Sequence, residues 1–384
     1  MNNKVYTAKI DEYDSDAILR SLTGAFDALG IRGEDFKGKK VAVKPNLIMK
    51  TAPETAATTH PAVINAILRL LDSYGVRPVI AESPGGLYTA ARLTALYRAC
   101  GMESAAEGLA ELNTDTSSVA VSYPDGLALR AFNVIKPIAD ADIVIDAAKL
   151  KSHSLTKQTG AVKNLFGIIP GVEKFEMHAR FPDEDVFTKA ITDICSYLCE
   201  NKRVIAVTDA VVCMEGNGPT GGKPRKVGYI LVSENPAASD AVAGGIIGFD
   251  KVRMDETARE RGMYPGRDGI ELLGDKPEPV RGFVPPDSKK RGSVFLLTLL
   301  SGKKLGRYFT PRPAINAKKC VGCGECAKSC PEKTITIKKV GGRLRAVIDA
   351  SACIRCFCCQ ELCPHRAVKT VRNPIVAVVD KIRR

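Results

Sequence analysis

The chain has 384 residues, of which 45% are hydrophobic and 26% charged, ordinary values that argue against a disordered or fibrous protein. Its formal charge is +13, from 56 basic and 43 acidic side chains, and it contains 13 cysteines and no tryptophan. At about 150 residues per domain, this length predicts two or three domains.

The charge and the cysteines are concentrated at one end of the chain. Residues 1–280 carry 33 basic and 37 acidic side chains, whereas residues 281–384 carry 23 and 6, a net charge of +17. Nine of the 13 cysteines lie between Cys320 and Cys363, a crowding that argues against a secreted disulfide protein. Without a leader-like N-terminus or an apolar run of about 18–20 residues, the sequence predicts a soluble protein in the reducing cytoplasm.

Strands and helices are predicted to alternate through residues 1–280. The apolar, β-branched runs that predict strands are 40–44, 76–81, 142–147, 204–207 and 227–232. The periodic segments that predict helices are 60–74, 89–100 and 186–198, with Thr59 as N-cap of the first and Asp183 of the last. The alternation favours the α/β class, a layered domain with a largely parallel sheet.

Polar side chains follow several of these strands, and open parallel sheets bind ligands at the carboxyl ends of their strands. The cations and amides expected to hold an anionic ligand are Lys44, Asn46, Lys149, Lys151, Lys163 and Asn164. The side chains expected to handle a proton or a metal, and so to be catalytic, are Glu82, His153 and Asp209. The alternative is that these are solvated loop residues.

The remaining features of this region predict structural roles. His60 is expected to start a helix, His178 to lie at the surface, and Cys195 and Cys199 to pack in the core rather than bind a metal. The glycine-rich segment 215–223 is not a phosphate-binding loop, because Lys223 is followed by Pro224 and then by a predicted strand. We interpret it as a flexible loop that covers the pocket.

A composition change at residues 275–291 predicts a domain boundary. The basic linker that follows is predicted over 281–313. Within it, the apolar run 294–300 is interpreted as a short element bridging two domains, with a basic interfacial membrane anchor as the alternative. Apolar periodicity in the tail predicts a C-terminal helix over 373–384.

Between these segments, residues 314–372 contain a C-x2-C-x2-C-x3-C-P run twice, at an offset of 33 residues. This is the ligand pattern of bacterial ferredoxins, in which the fourth cysteine of each run binds the other cluster. It predicts a small α+β domain with two [4Fe-4S] clusters. We expect Cys320, Cys323, Cys326 and Cys363 to bind one cluster, and Cys353, Cys356, Cys359 and Cys330 the second. Zinc is the alternative metal, and Cys358, outside the repeated register, is expected to be a packed thiol.

Several segments of residues 40–250 also resemble the domain-of-unknown-function family 362 (DUF362). They are Val43–Leu47, Thr59–Pro61, Ala81–Ser83, Lys149–His153, Ala161–Gly167, Asp209–Ala210 and Glu215–Pro219. Members of this family often end in a two-cluster ferredoxin module, as this chain does. The resemblance implies little about mechanism, because the chemistry of the family is largely unassigned.

Two functions remain open at this stage. The first is a redox enzyme, in which the clusters pass single electrons to or from an anionic substrate or cofactor at the strand ends. The second is a non-catalytic electron-transfer adaptor or metallocofactor assembly factor that recognises a partner through the α/β domain. The basic C-terminal region predicts an acidic ferredoxin or flavodoxin as redox partner. Nucleic acid is a poorer match, because aromatics are not interleaved with the basic residues.

Overall fold

A computed structural model of the chain describes residues 2–289, 310–371 and 373. The predicted bridging element at 294–300 and the predicted C-terminal helix from residue 374 onward lie outside these residues. The domain boundaries drawn from the sequence stay predictions.

The larger module is formed by the strands and helices between Lys4 and Gly274. Its centre is one nine-stranded sheet in the order β11-β1-β10-β9-β7-β2-β3-β4, with β8 paired to β7. Its strands are β1 (Lys4–Lys9), β2 (Val41–Pro45), β3 (Val79–Ile80), β4 (Glu111–Leu112), β7 (Ile143–His153), β8 (Lys157–Thr159), β9 (Arg203–Glu215), β10 (Lys223–Ser233) and β11 (Glu271–Gly274). The five strands from β9 to β4 are parallel, and β10 runs antiparallel to both of its neighbours. The predicted α/β class with a largely parallel sheet is confirmed. A separate hairpin pairs β5 (Ser118–Ser122) with β6 (Ala131–Ile135).

Helices cover both faces of the sheet, and each face has its own apolar core. They are α1 (Ser15–Leu29), α2 (Pro61–Ser73), α3 (Ala90–Ala99), α4 (Met102–Ala106), α5 (Lys136–Ala139), α6 (Ala161–Asn164), α7 (Gly171–Arg180), α8 (Glu184–Asn201), α9 (Pro236–Ile246) and α10 (Arg253–Glu260). Burial on both faces explains why the central strands are nearly continuous apolar runs.

The strand β7 is longer than the sequence predicts, and this positions the site. All eleven residues from Ile143 to His153 are buried, so the strand continues past Ala147 through the polar segment. Lys149, Lys151 and His153 are therefore strand residues, and their alternation places them on one face. The partner strand β9 shifts register between the residues facing Lys149 and Lys151.

Of the two N-cap residues predicted from the sequence, one is confirmed. Asp183 caps α8 by accepting hydrogen bonds from two backbone N–H groups. At α2 the predicted cap Thr59 is wrong, because His60 is the N-cap and its Nδ1 accepts from the N–H of Ala62. Thr59 instead donates from Oγ1 to the carbonyl of Ala147, and so joins this loop to β7.

The smaller module is described over residues 310–371, where it contains two short antiparallel pairs of strands and two single-turn helices. β12 (Arg312–Ile315) pairs with β15 (Val368–Val371), and β13 (Ile335–Val340) pairs with β14 (Arg343–Ile348). The helices are α11 (Glu325–Lys328) and α12 (Cys358–Glu361). In residues 2–289, 310–371 and 373, no helix is long and apolar enough to cross a membrane.

Candidate functional site

A small cavity of about 80 Å³ lies where the carboxyl ends of the central strands meet the smaller module. Six predicted site residues line it: Asn46, Glu82, Lys151, His153, Lys163 and Asn164. Cys358, Glu361 and Leu362 form its other wall. The space is equivalent to about two or three water molecules, so it suits a small polar group. The two modules therefore share this cavity.

Five of the predicted residues form one continuous chain of hydrogen bonds beside the cavity. Lys44 Nζ donates to Glu82 Oε2 at 3.0 Å and to Asn164 Oδ1 at 3.2 Å. Asn46 Nδ2 donates to the same Asn164 oxygen at 3.0 Å, and Lys151 Nζ donates to Asn46 Oδ1 at 2.7 Å. Four of these side chains are almost completely buried, so each must be matched by a partner. The network holds the polar ends in fixed positions.

His153 faces the smaller module directly. Its Nδ1 accepts the backbone N–H groups of Leu155 and Thr156 at 3.1 and 3.2 Å, so the proton of the neutral ring is on Nε2. Nε2 lies 2.9 Å from Oε1 of Glu361. Burial lowers the pKa of His153 to about 4, with Lys163 acting in the same direction. At neutral pH the pair is a neutral N–H donor beside a carboxylate.

Several polar atoms around the cavity lack a hydrogen-bond partner among the described residues. They are Ser83 Oγ and His178 Nδ1, together with His153 Nε2 and Glu361 Oε1, which have only each other, at 2.9 Å. An unsatisfied buried polar group costs about 1–3 kcal/mol. A polar ligand in the cavity would offset this cost.

The cations around the cavity are short of negative charge. Burial lowers the pKa of both Lys151 and Lys174 to about 7 and also lowers the pKa of Lys163. The Lys163 ammonium lies over the ring of Phe166, 5.3 Å from its centroid. Glu82 is already bound to Lys44. The cavity lining thus contains three lysines, Lys151, Lys163 and Lys174, but only one further carboxylate among the described residues, Glu361, so it has room for a bound anion.

The glycine-rich loop 215–223, interpreted from the sequence as flexible, is held in place beside the cavity by the smaller module. Thr220 Oγ1 donates to the carbonyl of Glu361 at 3.0 Å, and Gln360 Nε2 donates to the carbonyl of Asn217 at 3.2 Å. Pro219 lines the cavity. The loop thus joins the end of β9 to α12 beside the cavity.

Three predicted residues are outside the cavity lining: Lys44, which is part of the hydrogen-bonded chain, and Lys149 and Asp209, which lie apart from it. Lys149 Nζ is 2.8 Å from Asp209 Oδ2 in a fully buried ion pair. Asp209 also accepts hydrogen bonds from Tyr13 Oη, at 2.9 Å, and from the backbone N–H groups of His60 and Val211. With its acceptors occupied, the carboxylate has no role at the cavity. The expectation that Asp209 joins Glu82 and His153 is not met.

The sequence reasoning missed three residues at the cavity. His178, expected at the surface, is 4% exposed and lines the cavity together with Lys174. Their spacing of four residues on α7 places both on one helix face, which is the signal that could have revealed them. Glu361 lies inside the cysteine repeat, and nothing in its sequence context points to His153.

Electrostatic interactions connect cysteines within each of the two predicted ligand sets, which stay predictions. Burial and then the neighbouring thiolates of Cys363, Cys323 and Cys320 raise the pKa of Cys326 to about 11. The pKa of Cys359 is raised by burial and by the other set, Cys356, Cys353 and Cys330, together with Cys326. No group of three such side chains in the described residues is arranged around a single metal ion. Cluster ligands instead bind separate irons.

Backbone conformation repeats with the cysteines. Left-handed φ angles occur at Gly322 and Arg355, at Gly324 and Phe357, and at Lys333 and Arg366, each pair 33 residues apart. Backbone N–H groups point at three of the sulfurs: Thr334 to Cys330, Ala346 to Cys320 and Ala367 to Cys363. Such bends and N–H···S contacts are what a thiolate-bound cluster requires, so these residues fit [4Fe-4S] clusters.

A larger depression of about 990 Å³ lies at the amino ends of the strands, beside Val41 and Val79. Among the described residues, none of the buried polar atoms without a partner lies in its lining. Ligands of open parallel sheets bind at the opposite edge. The smaller cavity is therefore the better candidate site.

Gly167 is required by the close approach of the Lys44–Glu82 pair. A Cβ added there would lie 2.4 Å from both Lys44 Nζ and Glu82 Oε1. We expect Gly167→Ala to lower the free energy of unfolding by about 1–3 kcal/mol through overpacking, measured by thermal unfolding. In the control Gly245→Ala, the added Cβ meets nothing within 4 Å. Equal stability of the two variants would contradict this.

Comparison with known proteins identifies both modules. Residues 41–244 match the family described as "Domain of unknown function (DUF362)", and residues 319–367 match the "4Fe-4S dicluster domain". The "Thylakoid-associated protein sll1697" of Synechocystis sp. is 28% identical over 281 residues, which cover 69% of this chain and 81% of that protein. The lactate racemase apoprotein from Thermoanaerobacterium thermosaccharolyticum is 15% identical, over 65% of this chain and 58% of its own, at a TM-score of 0.38. The match therefore spans less than two thirds of the racemase.

Proposed function

The chain belongs to the DUF362 family and is an iron–sulfur electron-transfer protein, and on that basis we propose that it is a redox enzyme. Its substrate or cofactor is a small anionic group held in the shared cavity. The observation that carries this proposal is the position of α12, which supplies Cys359 to one cysteine set and Cys358 and Glu361 to the cavity wall. A ligand there would lie one residue away from a cluster ligand.

The metal centres of this proposal are two [4Fe-4S] clusters. One is bound by Cys320, Cys323, Cys326 and Cys363, and the other by Cys353, Cys356, Cys359 and Cys330. When bound, the clusters supply or accept single electrons. The second cluster lies on the cavity side through α12. The first is nearer to solvent, because Cys323 is exposed.

The residues of the larger module bind the ligand and control its protons. Lys151 and Lys163 attract the anion, and Asn46 and Asn164 orient it through the hydrogen-bonded chain. Glu82 and His153 are the proposed catalytic residues that handle a proton, His153 through its Nε2–H. The loop 215–223 excludes water. Because Lys149 and Asp209 are saturated by each other, we assign them a structural role.

The test is an anaerobic purification followed by iron and sulfide counts and native mass spectrometry. We expect about eight irons per chain and a small anion that co-purifies with the protein. About eight irons with an empty cavity and a co-purifying protein would contradict the enzyme and favour the adaptor or assembly factor. The cytoplasmic location stays a prediction.

We further propose that an acidic ferredoxin or flavodoxin docks beside Cys323. Two apolar side chains near this cysteine, Val321 and Leu344, are each 58% exposed. Leu344 is close to it because Gly322, the residue before Cys323, packs on Leu344. Lys339 lies directly opposite Leu344 in the hairpin and is exposed, and Lys338 and Arg343 are exposed on the other face of the same hairpin. An apolar patch on a basic hairpin suits an acidic redox partner.

Reversing the charge of this surface should slow electron transfer from an acidic ferredoxin. We expect the double variant Lys338→Glu, Lys339→Glu to lower the rate at least about tenfold at low salt, with the difference disappearing near 1 M salt. Stopped-flow absorbance measures the rate. The control is Lys37→Glu, an exposed residue of the larger module near the amino ends of its parallel strands. A rate independent of both salt and charge would contradict the docking surface.

A further inference from the structure

A groove of about 560 Å³ lies beside the cavity and has no role in the function proposed above. Its lining is mainly apolar, and Leu87 and Val172 within it are 58% and 46% exposed. Its volume is in the range of ligand sites, about 300–1,000 Å³. The cavity, in contrast, has room only for a small polar group.

The groove and the cavity are adjacent. Pro84, Gly85, Phe175 and Leu362 line both spaces. The junction is tight, because a Cβ added to Gly85 would lie 3.0 Å from the side chain of Leu362. A ligand whose polar end occupies the cavity can reach the groove past Gly85 once the Leu362 side chain turns away from that contact.

The groove is also formed by both modules. Glu325, Lys328 and Ser329 lie on one side of it, around α11, and Leu362 and Pro364 flank Cys363. Arg92 of the larger module is 3.8 Å from Glu325 of the smaller one. A molecule in the groove would thus lie beside the first proposed cluster, while its polar end lies beside the second.

The charges match an anionic ligand. The groove lining contains three cations, Lys50, Arg92 and Lys328, against one carboxylate, Glu325, which lies 3.8 Å from Arg92 and 3.0 Å from Lys328. The cavity beyond contains Lys151, Lys163 and unsatisfied polar atoms. The cations at the groove mouth would attract an anion, whereas the apolar floor retains hydrocarbon.

We propose that the site binds an amphipathic anion, with a carboxylate or phosphate head in the cavity and an apolar chain or ring in the groove. This inference rests on the proposed function, because it defines the substrate class of the same site. It restricts that class to organic acids or phosphates with an apolar portion and excludes purely inorganic anions as the full substrate.

Straight-chain carboxylates test the proposal without knowledge of the natural ligand. Octanoate and acetate share a head and differ by six methylenes. Titration calorimetry would be done under anaerobic conditions on the full-length protein with its clusters, after dialysis. We expect octanoate to bind at least about 100-fold more tightly than acetate. 1-Octanol, which lacks the charge, should bind more weakly than octanoate.

A variant tests whether the higher affinity for octanoate comes from the groove. Val172→Asp places a charge on the groove wall at the second residue of α7, where an acidic side chain suits the helix dipole. It should remove most of the octanoate preference and leave acetate binding unchanged. The control Val186→Asp is similarly near the start of α8 and 39% exposed, but it is not in the groove lining, and it should bind as the native chain does.

The outcomes separate this inference from the function on which it rests. Equal affinities for acetate and octanoate, or a preference that survives in Val172→Asp, would overturn the amphipathic ligand and leave an anion site in the cavity. If no carboxylate binds, and neither inorganic phosphate nor sulfate binds, both the amphipathic ligand and the proposed function would be overturned.

Discussion

The Cys359→Ala variant is expected to retain about four irons per chain, where the native protein holds about eight, and to lose electron transfer between the clusters and the cavity. Cys359 lies on α12, within the set formed with Cys353, Cys356 and Cys330. Without its thiolate the cavity-side cluster lacks one of four ligands. The remaining cluster should be intact, because none of its proposed ligands has changed.

The matched control is the neighbouring residue Cys358. It is 2% exposed, lines the cavity and lies outside the repeated cysteine register. We expect Cys358→Ala to keep about eight irons. Iron and sulfide analysis measures both variants, and the iron retained by Cys359→Ala also reports that the module folds. Loss of iron from Cys358→Ala with full iron in Cys359→Ala would contradict the assigned ligand sets.

Replacing Lys163 with methionine should weaken binding of an anion in the cavity by about 10- to 100-fold. The Lys163 ammonium faces aromatic rings and the charge of Glu361 rather than a hydrogen-bonded acceptor. A hydrogen bond to a charged group contributes about 1.5–3 kcal/mol, which corresponds to this loss. Titration with acetate or phosphate measures it. Lys37→Met is the surface control, and equal affinity of the two variants would exclude Lys163 from the site.

The same binding should depend on pH. Lys151 and Lys174 have pKa values of about 7 without ligand, chiefly through burial, and an anion favours their charged forms. The charged groups that act on these two lysines are Lys44, Glu82, Lys149, Lys163 and Glu361.

Affinity should therefore be nearly constant below about pH 6 and fall above pH 7, by up to about tenfold per pH unit for each lysine. Lys151→Met should bind more weakly at pH 6 and show a shallower fall above pH 7. An affinity that rises between pH 7 and pH 9 would contradict this.

How much of the site could be predicted depended on the range of the interactions involved. The cysteine sets follow from local spacing, because ligand positions within one loop are fixed by the chain itself. Lys44, Asn46 and Glu82 were predictable from their place after strands, because parallel strands end at one edge of the sheet. The register between strands was not predictable, and it pairs Asp209 directly with Lys149 across β9 and β7, outside the cavity.

The contribution of the smaller module was also beyond sequence reasoning. Glu361 reaches His153 only because α12 docks on the loop 215–223, a contact between segments about 140 residues apart. Burial of Lys174 and His178 reflects the way α7 packs, since Lys174 donates to the carbonyl of Ser83 and His178 stacks on Phe187. Hydrophobic periodicity describes one element at a time and contains no information about which elements of two modules meet.

The central claim is that a ligand in the shared cavity exchanges electrons with the clusters. Its most direct test is freeze-quench electron paramagnetic resonance. The chemically reduced protein is mixed anaerobically with the anion that co-purifies with it. In the reverse experiment, the chemically oxidised protein is mixed with the reduced form of that anion. We predict that the cluster signals change within one turnover in the native chain and far more slowly in Lys163→Met. Unchanged signals in the native protein with the anion bound would contradict the account.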